Sequence, residues 1–210
     1  MRRGWFFPIG LLAGSLALSA CYSSNSVDPT VADNGDSITN VSFHPISNTL
    51  SPDYSVDILG QDGFTIAQTL PVLQTLLTGP EGAPDDVILE SGTNDVFRRT
   101  PTWQADLDTE ASMVANTQCV IFVNVSSHAD YFNIQDGLPP MVPSINAAMA
   151  EEVAAHPNFH LLDWDAFIDK PGNYGAYIYH SHYGLGVHPN AAGQQVLANL
   201  ELQALQQDCP

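Results

Sequence analysis

Four short apolar runs, Val56 to Leu59, Val87 to Leu89, Val120 to Val125 and Phe159 to Leu162, recur along the chain with longer stretches of helical periodicity between them. No other feature constrains the fold as strongly. Runs this short, bounded by Gly, Pro, Asp or Asn, read as buried strands. The stretches between them read as helices: Thr65 to Leu77, with Ile66, Leu70, Leu73 and Leu77 at helical spacing and Pro71 as a potential kink, then Trp103 to Asn116, Ser144 to Ala155 and Ala191 to Gln207. Strand and helix in alternation imply a parallel sheet covered by helices on both faces, a three-layer α/β/α domain of about five strands. Completing the sheet requires a first strand around Thr30 to Asp33, although that segment is short and polar. No internal repeat or low-complexity segment interrupts the pattern.

The amino terminus is of a different kind. Arg2 and Arg3 precede an apolar stretch from Trp5 to about Leu18, which reads as an export signal. It is shorter than the roughly 20 apolar residues of a membrane span, and it ends in Leu18-Ser19-Ala20-Cys21. Small residues leading into a cysteine resemble the lipobox of bacterial lipoproteins, which implies cleavage before Cys21 and a lipid on its sulfur. A plain signal peptide or an anchor is the rival reading. The expected organisation is a signal peptide over 1–20, a polar, turn-rich tether over 21–29 and one folded domain over 30–210. The protein would then meet the membrane only through its lipid. Tyr22 and Ser23 lack the aspartate that commonly retains lipoproteins at an inner membrane, so the expected address is the outer membrane.

The chain carries 23 acidic and five basic residues, and two of the basic ones are Arg2 and Arg3. Beyond the leader only Arg98, Arg99 and Lys170 remain, so nucleic acid and anionic headgroups would be repelled. The carboxylates are scattered, which suits solubility better than a dedicated acidic tail. With Cys21 assigned to the lipid, Cys119 and Cys209 are left either to pair or to remain free thiols; spacing alone decides neither.

Candidate chemistry gathers in four segments: Asn34-Gly35-Asp36-Ser37-Ile38-Thr39, Leu59-Gly60-Gln61-Asp62-Gly63-Phe64-Thr65, Leu89-Glu90-Ser91-Gly92-Thr93-Asn94-Asp95 and Val187-His188-Pro189-Asn190-Ala191-Ala192-Gly193. The first three follow expected strands, where open parallel sheets place their sites. In this order the four resemble the blocks of the SGNH (GDSL-type) hydrolases, over nearly the whole domain from about residue 30 onward. The resemblance implies a flavodoxin-like sheet. It also implies Ser37 as nucleophile, His188 as general base, and Ser37 N–H, Gly63 N–H and the Asn94 side chain as oxyanion donors.

These roles also make sense chemically. A serine hydroxyl is a weak nucleophile and needs a base near neutral pKa to take its proton. Pro189 stiffens the chain after His188, Asn190 can cap the final helix, and Gly63 allows the unusual φ of a backbone donor. The bland readings are an ordinary turn for Gly35-Asp36-Ser37, a shaped loop for Gly60 and Gly63, and a helix cap for Asn94-Asp95.

One position departs from the family, which usually carries an aspartate three residues before the histidine. Here that residue is Leu185. The ring would have to be oriented by a backbone carbonyl near Gly184 to Gly186 or by an acid such as Asp163, Asp165 or Asp169. Three functions compete: hydrolysis or transfer of ester-linked acyl groups on cell-envelope or extracellular carbohydrate or lipid; a catalytically weak or inactive surface lipoprotein with a binding role; and lipase-like action on longer chains, with Phe64, Phe97 and Tyr131 lining a cleft. His180 and His182 lack an acidic partner at metal-site spacing, and no motif implies a metal or a dissociable cofactor.

Overall fold

The computed structural model describes residues 28–79, 82–179 and 186–209. The leader, Cys21 and the tether up to residue 27 lie outside them, as do His180, His182, Gly184 and Leu185.

Five parallel strands form one sheet: β1 (Thr30–Gly35), β2 (Ser55–Gly60), β3 (Asp86–Glu90), β4 (Cys119–Val123) and β5 (Phe159–Leu162), in the order β2-β1-β3-β4-β5. The first strand is longer than its polar sequence suggests. Thr30 to Gly35 pairs along its length with β2 on one side, and Val31 to Gly35 pairs with β3 on the other. A strand hydrogen-bonded on both edges needs less intrinsic propensity, because its neighbours supply the register.

Alternation along the strands sorts the core into two layers. Val87, Leu89, Val120 and Phe122 face a layer completed by Ile66, Leu73, Leu107, Ile145 and Met149. Those five come from α2 (Ile66–Leu77), α4 (Trp103–Val114) and α6 (Val142–Ala155). Ile88, Ile121 and Val123 face the opposite layer, with Ile38, Ile46, Leu50, Leu197 and Leu205 from α1 (Ser37–Leu50) and α9 (Ala191–Asp208). Each such side chain, wholly buried, contributes about 1.5–3 kcal/mol of hydrophobic stabilisation.

Helix α1 is absent from the periodicity of the sequence. Its Ser, Thr and Asn residues are indifferent helix formers and Pro45 lies inside it. Packing against α9 and β2 holds it instead, together with the Asp36 side chain, which accepts from Ile38 N at 2.9 Å and caps its first turn. Pro71 likewise lies within α2, which runs continuously through it. Short helical segments follow the strand ends: α3 (Thr93–Arg98), α5 (Tyr131–Gln135), α7 (Trp164–Ile168) and α8 (Asn173–Tyr177). Among the described residues no helix is long and apolar enough to cross a membrane.

Cys119 and Cys209 are joined in a disulfide, with Cα atoms 5.5 Å apart and a sequence separation of 90. It ties the start of β4 to the end of α9. In the chain-entropy account a loop of that length removes much freedom from the unfolded chain, so Cys209→Ser is expected to lower unfolding free energy by about 2–4 kcal/mol. Urea denaturation under non-reducing conditions measures it, and an unchanged midpoint would show that the cross-link is dispensable.

Candidate active site

The chain passes from β1 to β2 on one side of β1 and then crosses to β3 on the other, so the loops after β1 and β3 diverge and leave a crevice at the carboxyl ends of the strands. Ser37 opens α1 directly after the β1 turn. Gly63 lies in the β2–α2 loop, Asn94 in the first turn of α3, and His188 just before α9. These four residues, 151 positions apart at the extremes, line one cavity of about 570 Å³ together with Val41, Asp62 and Tyr179.

The central contact is between His188 Nε2 and Ser37 Oγ, 2.8 Å apart. His188 is held from several sides. Its carbonyl accepts from Tyr179 N at 2.9 Å, and Asn190 caps α9 by accepting from Ala192 N and Gly193 N at 2.9 and 3.0 Å. Tyr174 Oη donates to Gly186 O and accepts from Gly186 N, clamping the chain two residues upstream of the ring. Burial lowers the His188 pKa from its ordinary value, and the negative charge of Asp62 offsets part of that effect. The ring is therefore neutral at neutral pH, the state in which Nε2 can accept a hydroxyl proton.

Two of the lining residues, Ser37 and Gly63, also have backbone N–H groups without a partner among the described residues. In the first turn of α1, Ile38 N donates to Asp36 Oδ1, Thr39 N to Glu90 Oε2 at 3.1 Å and Asn40 N to Asp36 O at 3.1 Å. Ser37 N–H is thus the first-turn donor with no acceptor among the described residues. Gly63 N–H also meets none, and Gly63 has φ +75, a left-handed conformation that a side chain would disfavour. Arg98 Nη2 donates to Gly63 O at 2.7 Å and steadies that peptide.

Asn94 differs from the simple expectation of a free amide donor. Its Nδ2 donates to Asp36 Oδ2 and to Phe64 O, both at 3.0 Å, so it reaches a developing oxyanion only by sharing the hydrogen now on Phe64 O. Because both partners are acceptors, the orientation of the amide is unambiguous. Asp95 caps a helix, though not its own: Asp95 Oδ2 accepts from Ile66 N at 2.9 Å, at the start of α2.

None of the acids proposed in place of an aspartate at Leu185 is bonded to the ring. Asp163 accepts from Asn124 Nδ2 and caps α7, Asp165 accepts from Ser127 N, and Asp169 pairs with His128. Gly186 O is taken by Tyr174. Among the described residues, the acid that acts on His188 is Asp62, which sits in the cavity wall and accepts from Asn40 Nδ2 at 2.8 Å. Nothing in the sequence singled it out beyond its place beside Gly63. Asp62→Asn keeps the side chain's shape and its ability to accept from Asn40, but removes the charge. It is therefore expected to move the acid limb of the activity–pH profile to lower pH, because the His188 cation loses its stabilising neighbour. A limb that stays put would remove Asp62 from this role. The apolar wall also departs from expectation: among the described residues it is made by Val41 and Tyr179, and Phe64, Phe97 and Tyr131 are not part of it.

Within the described residues, the one cluster of metal-ligand type is Asp86 with Cys119 and Cys209, and its two sulfurs are bonded to each other and so are not thiolates. The site itself is a hydroxyl, a neutral imidazole, free N–H donors and a cavity, the parts needed for acyl transfer through a covalent intermediate.

A family model described as GDSL-like Lipase/Acylhydrolase matches residues 34–196. Among curated proteins no sequence matches. Solved structures share the fold at low identity. A lipase/acylhydrolase from Enterococcus faecalis superposes with a TM-score of 0.66 at 19% identity, covering 85% of this chain and 95% of that one. The C-terminal catalytic domain of a Streptococcus pneumoniae peptidoglycan O-acetyltransferase, bearing a methylsulfonyl adduct, gives 0.65 at 18%, covering 87% and 96%. A mutant form of an acetyl-xylooligosaccharide esterase from Geobacillus gives 0.58 at 19%, covering 83% and 93%.

Proposed function

Because the chain belongs to the GDSL-like lipase/acylhydrolase family of ester-cleaving serine hydrolases, we propose that Ser37 and His188 remove or transfer a short acyl group, such as acetyl, from a neutral carbohydrate ester of the cell envelope or extracellular space. The observation that carries this reading is the 2.8 Å contact between Ser37 Oγ and His188 Nε2 at the floor of the cavity.

In the proposed reaction Ser37 Oγ attacks the ester carbonyl as His188 Nε2 takes its proton. The negative charge that develops on the carbonyl oxygen is met by Ser37 N–H and Gly63 N–H, with Asn94 sharing a third hydrogen. Such donors matter because they are already aimed before the charge appears. The imidazolium returns its proton to the departing alcohol oxygen, which leaves an acyl-Ser37 ester. Water, or an acceptor hydroxyl in a transfer reaction, then attacks with His188 again as base, and Ser37 recovers its proton. Asp62 favours the imidazolium at both tetrahedral stages.

The cavity supports a small, uncharged acyl group. Among the described residues its apolar wall is Val41 and Tyr179, and the carboxylate of Asp62 beside the base disfavours an anionic substrate. The peptidoglycan O-acetyltransferase and the acetyl-xylooligosaccharide esterase that share the fold are both named for acetyl groups on glycans, which agrees with this choice. Rates on p-nitrophenyl acetate, butyrate and octanoate, followed by acetate release from acetylated glycans, test it. Acetate is expected to exceed octanoate by about 10-fold or more in kcat/KM, on the scale that pocket size discriminates chain length. A faster octanoate reaction would replace this reading with a lipase-like one.

The proposal extends to the cell: Cys21, at the end of Leu18-Ser19-Ala20-Cys21, carries the lipid that keeps the enzyme beside envelope substrates at the outer membrane. Cys21→Ser should release the protein from the membrane fraction. Recovery of the native protein in the inner membrane would reject the address.

A further inference from the structure

Beneath the turn that presents Ser37 lie two carboxyl groups that the acyl-transfer steps leave unused. Asp36, the N-cap of α1, is 0% exposed, and Glu90, the last residue of β3, is 4% exposed. Asp36 N donates to Glu90 O at 3.0 Å, and the Glu90 carboxyl lies on the first turn of α1 that Asp36 caps, so the two acids are neighbours. Two desolvated carboxylates this close do not both keep their charge, so one of the pair carries a proton. Asp36 already accepts from Ile38 N on Oδ1 and from Asn94 Nδ2 on Oδ2, donors that suit the ionised form. Glu90 Oε2 accepts from Thr39 N at 3.1 Å and Thr39 Oγ1 at 3.2 Å, which leaves its other oxygen for the proton. No cationic side chain among the described residues pairs with either acid.

We propose that Glu90 is a positioning residue: it keeps one proton shared with Asp36 and thereby holds both Ser37 and Asn94 in place for acyl transfer. This rests on Ser37 being the nucleophile. Through Thr39, Glu90 secures the first turn of α1 so that Ser37 N–H remains the free donor. Through Asp36, it fixes the acceptor that aims the Asn94 amide. The β1 turn packs tightly on Thr39 and the end of β3, since a Cβ on Gly35 would lie 2.1 Å from Thr39 Oγ1 and 2.6 Å from Glu90 O.

The surroundings favour keeping the proton. Burial first, then the charge of Asp36, pushes Glu90 well above the ordinary carboxylate range, and Asp33 on β1 acts in the same direction. Asp95 on α3 acts likewise on Asp36, while α1 offers the neutral Thr39 and α3 the neutral Asn94. Loss of the proton would place two desolvated negative charges in contact, and the pair would have to separate, loosening the first turn and Asn94 together.

Glu90→Gln is the discriminating variant, because glutamine can accept from Thr39 and donate permanently to Asp36. Glu90→Leu can do neither. With p-nitrophenyl acetate, Glu90→Leu is expected to lower kcat about 100-fold with KM little changed, the scale of a lost oxyanion donor, and Glu90→Gln to recover to within about fivefold of wild type. The wild type should lose kcat at alkaline pH as the shared proton departs, whereas Glu90→Gln should show no such limb. A wild-type-minus-Glu90→Gln infrared difference spectrum at neutral pH should contain a protonated carboxyl band. Circular dichroism verifies that each variant is folded.

A Glu90→Gln enzyme as slow as Glu90→Leu, or one that keeps the alkaline limb, or a difference spectrum without the band, would overturn the proposal. Failure of the wild type to take a fluorophosphonate on Ser37 would instead sink the hydrolase reading, with the infrared experiment still deciding the shared proton.

Discussion

Ser37→Ala is expected to lower kcat for ester hydrolysis by about 10⁴–10⁶-fold and to abolish labelling by a fluorophosphonate, and His188→Ala to do nearly the same. The two losses arise from one event. In the proposed mechanism, with Oγ and Nε2 2.8 Å apart, His188 takes the proton as Ser37 attacks, so removing either partner disables the other. The double variant should therefore be no slower than the worse single one. The residual rate belongs to Ser37 N–H and Gly63 N–H, which are backbone groups and survive both substitutions. The pH dependence follows the base. His188 must be neutral to act, and burial lowers its pKa, so activity should rise with pH through a midpoint below the ~6.5 of an exposed histidine. Mass spectrometry of the labelled protein locates the adduct. An adduct on another residue, or full turnover by Ser37→Ala, would remove Ser37 from the mechanism.

The second large effect is on stability, and it runs opposite to the common pattern of acid denaturation. Several carboxyl groups are wholly buried with no cation beside them among the described residues. Burial pushes Glu110, held by Ser91 Oγ and Thr69 Oγ1, up to about 7, and it raises Asp33, Glu201, Asp36 and Glu90 as well. A carboxyl whose folded pKa exceeds its unfolded value binds its proton more tightly when folded. Its stabilising contribution is complete below the unfolded value of about 4 and declines as pH rises through the folded value. The formal net charge of −18 adds repulsion in the same direction as pH increases. The melting temperature should therefore fall by on the order of 10 °C between about pH 5 and pH 8. Glu110→Gln, which keeps a neutral side chain of the same shape, should flatten part of that slope. Thermal melts across the range measure both, and a melting temperature that climbs with pH would refute this account of the buried acids.

Some of this was visible along the chain, and the reason is local. Val87 to Leu89 and Val120 to Val123 identify themselves as strands because both faces of a parallel sheet are buried and every position is apolar. Ala191 to Gln207 announces α9 through its spacing and through Asn190 ahead of it. By contrast α1, the helix that carries Ser37, was hidden, since Ser, Thr, Asn and Pro45 mask a segment stabilised by α9 and β2. Asp62 and Glu90 were equally hard to see: one follows a glutamine in a loop, the other ends an apolar strand, and neither position alone says what charge or donor lies opposite.

What the amino-acid order determined by itself is the alternation of strand and helix and the identity of the groups that line the cavity, Ser37, Gly63 and Asn94 after strands and His188 before the last helix, because periodicity and turn chemistry act over a few neighbouring residues. Only the tertiary structure decided that Oγ and Nε2 meet across 151 positions, that Asn94 is already engaged by Asp36 and Phe64, and that Cys119 and Cys209 bond. It also decided which acid acts on His188 and which acids are pushed above the ordinary carboxylate range. Those outcomes depend on distance and burial, since Coulomb energy and desolvation are functions of position in space and not of order along the chain.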